Sequence, residues 1–323
     1  MHSEKQLSKR VLVSVAAVIL SLASGAFAGW AADRTKKERV QGNPPGFLFS
    51  TLLDNITVNA NGGWIKIGTN LVAVFLPESA KGRMVLNDAS GSEICHWDWS
   101  ASRGRFDAPF QSVNFRNAMA PSGNQFDSSN LKLTKPGNYV FDFYASGKKF
   151  YTFPVSIREV KPSSPFGGDP RYLVDGDWNN WGYLYIPEMT ADSHIAWKLW
   201  LREWEYDPKS RAITVELVRD ADKALVAQNS NMLSVTFRHD WIRHDYQLFK
   251  PKDGSLFKGR DLLTRDGGYT LTMRMNGEIF GVWRFTVKGG KPVTAGRAVR
   301  GSAAPETFVE GGLDAFWYES QRK

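Results

Sequence analysis

Apolar and polar residues alternate with period two through much of this chain, the spacing of strands that turn one face toward a core. The pattern is clearest in two places. Tyr139, Phe141 and Phe143 alternate up to Ser146-Gly147, and Tyr151, Phe153, Val155 and Ile157 alternate after it. Tyr269, Leu271, Met273 and Met275 alternate up to Asn276-Gly277, and Ile279, Trp283, Phe285 and Val287 follow. Asn-Gly is a favoured two-residue hairpin turn, because both positions need positive φ. Each stretch predicts a β-hairpin.

The two hairpins read as copies. Thr134-x-x-Gly137-x-Tyr139, Gly147, Phe150, Phe153 and Ile157 recur as Thr264-x-x-Gly267-x-Tyr269, Gly277, Phe280, Trp283 and Val287, at a constant offset of 130. Upstream, Ser112-Val113-Asn114-Phe115-Arg116 is echoed by Ser234-Val235-Thr236-Phe237-Arg238, and Leu52-Leu53-Asp54 by Leu173-Val174-Asp175. Self-similarity at this period predicts an internal duplication.

Pro136-Gly137-Asn138-Tyr139 and Asp266-Gly267-Gly268-Tyr269 resemble the tyrosine corner of immunoglobulin-like and fibronectin III-like domains. In that corner a Tyr opening the penultimate strand buries its ring and bonds its hydroxyl back to the chain. Phe141 and Leu271 stand where antibody domains carry a Cys, so the family's disulfide is absent. The resemblance covers about 25 residues per unit and implies architecture, not activity. The expected fold is all-β: two tandem immunoglobulin-like antiparallel β-sandwiches.

The expected boundaries are a signal segment over 1–28, a spacer over 29–43, domain 1 over 44–160, a linker over 161–164, domain 2 over 165–288 and a tail over 289–323. The signal has a basic start (Lys5, Lys9, Arg10), an apolar run from Val11 to Leu22 and a small-x-small site at Ala26-Phe27-Ala28. It directs the chain to the periplasm or outside a bacterial cell. The alternative is an uncleaved inner-membrane anchor, since residues 11–32 carry no charge and are long enough to span.

Segment 194–204 fits two periods. As a helix it lines up Trp197, Trp200, Leu201 and Trp204; as a strand it sends Ile195, Trp197, Leu199 and Leu201 inward and Lys198, Trp200, Arg202 and Trp204 outward. The matching stretch of the first unit, Leu71–Leu76, is β-branched and aromatic, so strand is the reading adopted.

Composition narrows the function. Aromatics at 13%, with 12 Trp, suit strands. Net charge is +8, of which residues 1–28 carry +2. That balance suits solubility or acidic partners, yet no Lys/Arg cluster is dense enough to predict nucleic acid. Cys95 is the one cysteine, so no intrachain disulfide forms, and an exported chain of this kind is held by core burial.

Several residues are candidates for binding. Trp178, Trp181 and Tyr183 mix with Asp and Asn as in sugar sites, where rings stack on apolar sugar faces; the competing reading is that they seal the interface between the domains. The outward row with Trp200 and Trp204 offers cation–π contacts or a face for a partner's strand or a glycan. His239 and His244 sit five apart, which brings neither onto a shared metal on a strand or a helix; their segment falls where unit two is longer and reads as an exposed loop. Asp175-x-Asp177-x-Asn179 opens like a calcium loop, but Asn180 and Ile186 stand where an EF-hand needs Gly and Glu. Phe316, Trp317 and Tyr318 end the tail, either as a docking peptide or folded back on their own domain.

No nucleophile elbow, phosphate loop or zincin helix is present, and nothing marks Glu203 and Glu205 as an acid/base pair. No cofactor is implied. The expected role is a non-catalytic binding or assembly protein of the cell envelope acting through protein–protein contacts. The alternative is a carbohydrate-binding protein with an acidic glycan as ligand, and the third reading is a hydrolase with its site at the domain junction.

Overall fold

A computed structural model describes residues 46–321, except 48, 69–70, 75, 77–78, 104–109, 126–130, 165, 177, 188–189, 230–232 and 294–314. The signal segment, the 11–32 anchor alternative and Asp177 lie outside the described residues. Among the described residues no helix is long and apolar enough to cross a membrane. The fold is all-β, with antiparallel sheets, an arrangement consistent with β-sandwiches.

The first sheet comprises β1 (Gly46–Phe47), β4 (Leu71–Val74), β5 (Lys81–Asn87), β6 (Glu93–Arg103), β7 (Phe110–Met119), β8 (Gly137–Ala145), β9 (Lys148–Val160) and β10 (Arg171–Asp175). Their order across the sheet is β1-β4-β7-β6-β5-β8-β9-β10. A helix, α1 (Phe49–Asn55), and a separate ribbon of β2 (Ile56–Val58) and β3 (Ile65–Ile67) cover one end. The second sheet uses β11 (Trp181–Tyr185), β12 (Ala196–Leu201), β13 (Ser210–Arg219), β14 (Leu225–Asn229), β16 (Ile242–Phe249), β17 (Gly267–Met275), β18 (Glu278–Lys288), β19 (Lys291–Val293) and β20 (Ala315–Glu319). Its order is β19-β18-β17-β13-β14-β16-β12-β11-β20, with β15 (Leu233–Thr236) beside β13. The run β9-β8-β5-β6-β7-β4-β1 thus has the same connectivity as β18-β17-β13-β14-β16-β12-β11.

Both closing hairpins form as the alternation predicts. Ser146-Gly147 and Asn276-Gly277 have φ of 49°, 76°, 51° and 84°, positive at both turn positions as the tight hairpin requires. Both tyrosine rings are buried, and both hydroxyls donate four residues back: Tyr139 to the Lys135 carbonyl at 2.9 Å, Tyr269 to the Arg265 carbonyl at 3.0 Å.

The front echoes do not correspond in space. Leu52–Asp54 lie in α1, whereas Leu173–Asp175 lie in β10. Ser112–Arg116 lie in β7, whereas Ser234–Thr236 lie in β15; the strand in β7's position is β16. Local sequence likeness there is overridden by pairing. Nor is the segment holding His244 an exposed loop: it is β16, paired with β12 and β14.

Residues 171–175 leave the second unit's sequence range to complete the first sheet, pairing with Ser156–Val160. This covers the edge of β9, which otherwise would present unpaired backbone groups. The strand reading of segment 194–204 holds over β12, Ala196–Leu201, while Arg202 and Trp204 lie beyond the strand. Trp197, Leu199 and Leu201 enter the second core, but the opposite face is buried too: Trp200 belongs to the first core, with Trp178, Trp181, Tyr183 and Trp241.

Candidate functional site

Trp178, Trp181 and Tyr183 present no stacking face to solvent. All three are buried, with Trp178 stacked on Phe153 at 5.9 Å and edge-on to Trp241 at 5.2 Å, and Tyr183 against Trp200 at 6.0 Å. They seal the junction of the two units, because burying so much aromatic area outweighs any gain from leaving it wet. The tail folds back. Phe316 and Tyr318 are buried in the second core, and β20 pairs with β11 from Trp181↔Glu319 to Tyr185↔Ala315. The side chain of Trp317 lies outside the described residues.

His239 places Nε2 2.9 Å from the Glu205 carbonyl and 3.1 Å from that of Tyr206. His244 lies between Phe237 and Tyr246, and burial holds its pKa below the ordinary histidine value against the opposing charge of Asp245. The two imidazoles have separate surroundings. Asp175 receives Arg202 Nη2 at 2.7 Å and Arg158 Nε at 3.5 Å, so its charge is met by two guanidinium groups rather than left for calcium. Among the described residues no group of three or more His, Cys, Asp or Glu is arranged to hold a metal.

The segment after β12 builds a surface the sequence does not reveal. Glu203 is fully buried. Its carboxylate accepts the backbone N–H groups of Trp204, Glu205 and Lys209 at 2.9–3.1 Å and both Arg211 Nη atoms at 2.5 and 2.8 Å. Burial alone would raise its pKa; the Arg211 bonds, then the backbone donors, win and hold it below the ordinary glutamate value. Glu203 therefore anchors the 203–209 turn, and it is no partner for Glu205 in acid/base chemistry. Arg211 is in turn clamped under the Trp204 ring, 4.1 Å from its centroid.

The cations of the outward row meet rings outside it rather than Trp200 and Trp204. Lys198 lies 4.1 Å over Tyr185 and Arg202 5.1 Å over Trp241.

This turn lines an open cleft of about 590 Å³ built from residues of the second unit. Trp204, Glu205, Arg211, Arg202 and Trp241 line it together with Met275, Glu278, Ile279 and Phe280 of the β17–β18 hairpin tip. The volume is that of a ligand site. Trp204 and Ile279 are 38% and 39% exposed, apolar groups at a rim otherwise edged by Glu205 and Glu278. Of the sequence candidates, Trp204 and Asn179 lie here. Trp241 lies far in the chain from the adjacent Ile279 and Phe280, so the three carry no signal as a set; the Asn276-Gly277 turn does mark a projecting tip.

The chain matches no protein-family model, no curated protein and no solved structure.

Proposed function

We propose that this protein is an exported, non-catalytic binding subunit of the cell envelope, built of two immunoglobulin-like units, that engages a partner protein in the cleft beside the 203–209 turn. The cleft carries the reading: apolar groups (Trp204, Ile279, Phe280) stand beside polar ones in a concave surface held stiff by Glu203 and Arg211. Buried aromatics with a polar rim are what protein contacts use. The tyrosine corners and the shared strand order support the immunoglobulin-like reading. The test places a photo-crosslinking residue at Ile279, with Ser90, on an exposed turn of the first unit, as control. A protein crosslinked from Ile279 and not from Ser90, in the native envelope, is the expected result. Equal labelling from both positions, or none from either, would remove the proposal.

A glycan is the competing ligand, favoured by one observation: the exposed Trp204 ring stands in the same cleft as Asn179, Glu205 and Glu278. A shift in Trp fluorescence with a soluble polysaccharide, abolished by Trp204→Ala, would support it.

A further inference from the structure

Two cations and two carboxylates line the cleft, Arg202, Arg211, Glu205 and Glu278, and the two signs are not equally open to a ligand. The donors of both arginines are already engaged. Arg211 gives its Nη atoms to the Glu203 carboxylate at 2.5 and 2.8 Å, and Nη1 also to the Lys209 carbonyl at 3.1 Å. Arg202 gives Nη1 to the Glu203 carbonyl at 3.1 Å and Nη2 to Asp175 at 2.7 Å, and its Nε is buried. Both side chains are buried.

The carboxylates differ. Glu205 meets Lys209 and, at 3.6 Å, Arg211, yet 39% of its side chain stays exposed. Glu278 is exposed, and among the described residues no cation pairs with it. Arg274, four residues back on β17, turns instead to Glu216 at 3.9 Å and to the Gly277 carbonyl at 3.3 Å. Each carboxylate also adjoins, along the chain, one of the exposed apolar groups of the cleft: Glu205 follows Trp204, and Glu278 precedes Ile279. Arg211 lies 4.1 Å from the Trp204 ring centroid, but Glu203 meets its charge, so a second cation reaching the exposed part of that ring is not opposed by a bare one.

We infer that the partner seats an arginine side chain in this cleft, its stem on Trp204 and Ile279 and its guanidinium against Glu278 and Glu205. Ring quadrupoles attract cations. A guanidinium is planar and weakly hydrated, and it both stacks on rings and pairs with carboxylates. The same open negative charge repels an acidic peptide or acidic glycan. The inference rests on the cleft being the binding surface and names the chemistry of what enters it.

Titration of the purified protein with a blocked glycine peptide carrying one central arginine, followed at the indole N–H resonance of Trp204, tests it. Matched peptides carry citrulline, the neutral isostere, or glutamate in place of the arginine. The arginine peptide is expected to shift the resonance saturably, the citrulline peptide to bind about tenfold more weakly, and the glutamate peptide not to bind. Glu278→Gln should weaken the arginine peptide about threefold, the scale of an exposed ion pair, and Glu278→Lys should abolish its binding. Asp98→Asn, an exposed change in the first sheet, should leave it unaltered. Equal binding of the arginine and citrulline peptides, a preference for glutamate, no shift at Trp204, indifference to Glu278→Lys, or an equal loss in Asp98→Asn would each overturn the inference. A partner protein crosslinked from Ile279 would in that case leave the cleft reading standing, whereas capture of none there removes that reading whatever the peptides do.

Discussion

The indole Nε1 of Trp200 donates to Oδ1 of Asp54 at 3.0 Å across 146 positions of chain. Trp200 is a strand residue of the second sheet and Asp54 a helix residue packed on the first. The bond lies at the margin of an aromatic cluster that is continuous between the units, so they share a core rather than hang from a linker.

Trp200→Ala should therefore destabilise the whole chain by about 3–5 kcal/mol. Trp200→Phe keeps most of the packing and loses the bond to a carboxylate, costing about 1.5–3 kcal/mol. Urea titrations followed by circular dichroism read both. Two well-separated transitions in wild type, with only one moved by the substitution, would contradict a shared core.

Glu203→Gln should cost about 3–5 kcal/mol, because it leaves the buried Arg211 with only the more distant Glu205 carboxylate, at 3.6 Å, as countercharge. The pH dependence follows from the depressed carboxylate. Glu203 contributes its stability above the unfolded-state value, about 4.3, and loses it as pH falls through the lower folded value, since the unfolded chain takes the proton first. Thermal melts between neutral and acid pH should show a shallower acid decline in the variant than in wild type. Parallel curves would mean that Glu203 is not the group responsible.

Phe316→Ala should destabilise the second unit by about 3–5 kcal/mol, because Phe316 fills its core and β20 covers the edge of β11. Amide exchange along Trp181–Tyr185 should quicken in the same variant. A free docking peptide would leave both stability and exchange untouched.

Tyr139→Phe and Tyr269→Phe each remove one hydroxyl bond to a carbonyl and should each cost about 0.5–1.5 kcal/mol. The corners stand in different sheets, so the double variant should lose the sum. A double-mutant cycle by denaturant unfolding checks this; a coupling well beyond about 0.5 kcal/mol would show that the corners communicate.

Short-range chemistry could be read from the residues alone. Alternation at Tyr269, Leu271, Met273 and Met275 sets which side chains point inward. Asn276-Gly277 selects a two-residue turn through its tolerance of positive φ. The spacing from Lys135 to Tyr139, and from Arg265 to Tyr269, lets a hydroxyl reach back to its own chain. None of these needs a distant partner. Tertiary structure decided which faces meet water. The outward face of β12 is outward only until the first unit covers it, so Trp200 is buried, while Trp204, beyond the end of the strand, is not. Whether Phe316 and Tyr318 dock elsewhere or fill a core depends on an open edge at β11, and the equivalence of β7 with β16 depends on pairing, not on likeness between Ser112–Arg116 and Ser234–Arg238. The cleft joins Trp204, Trp241 and Ile279 from three distant segments. Periodicity is written locally, but the burial of a face is a property of whatever long-range contact covers it.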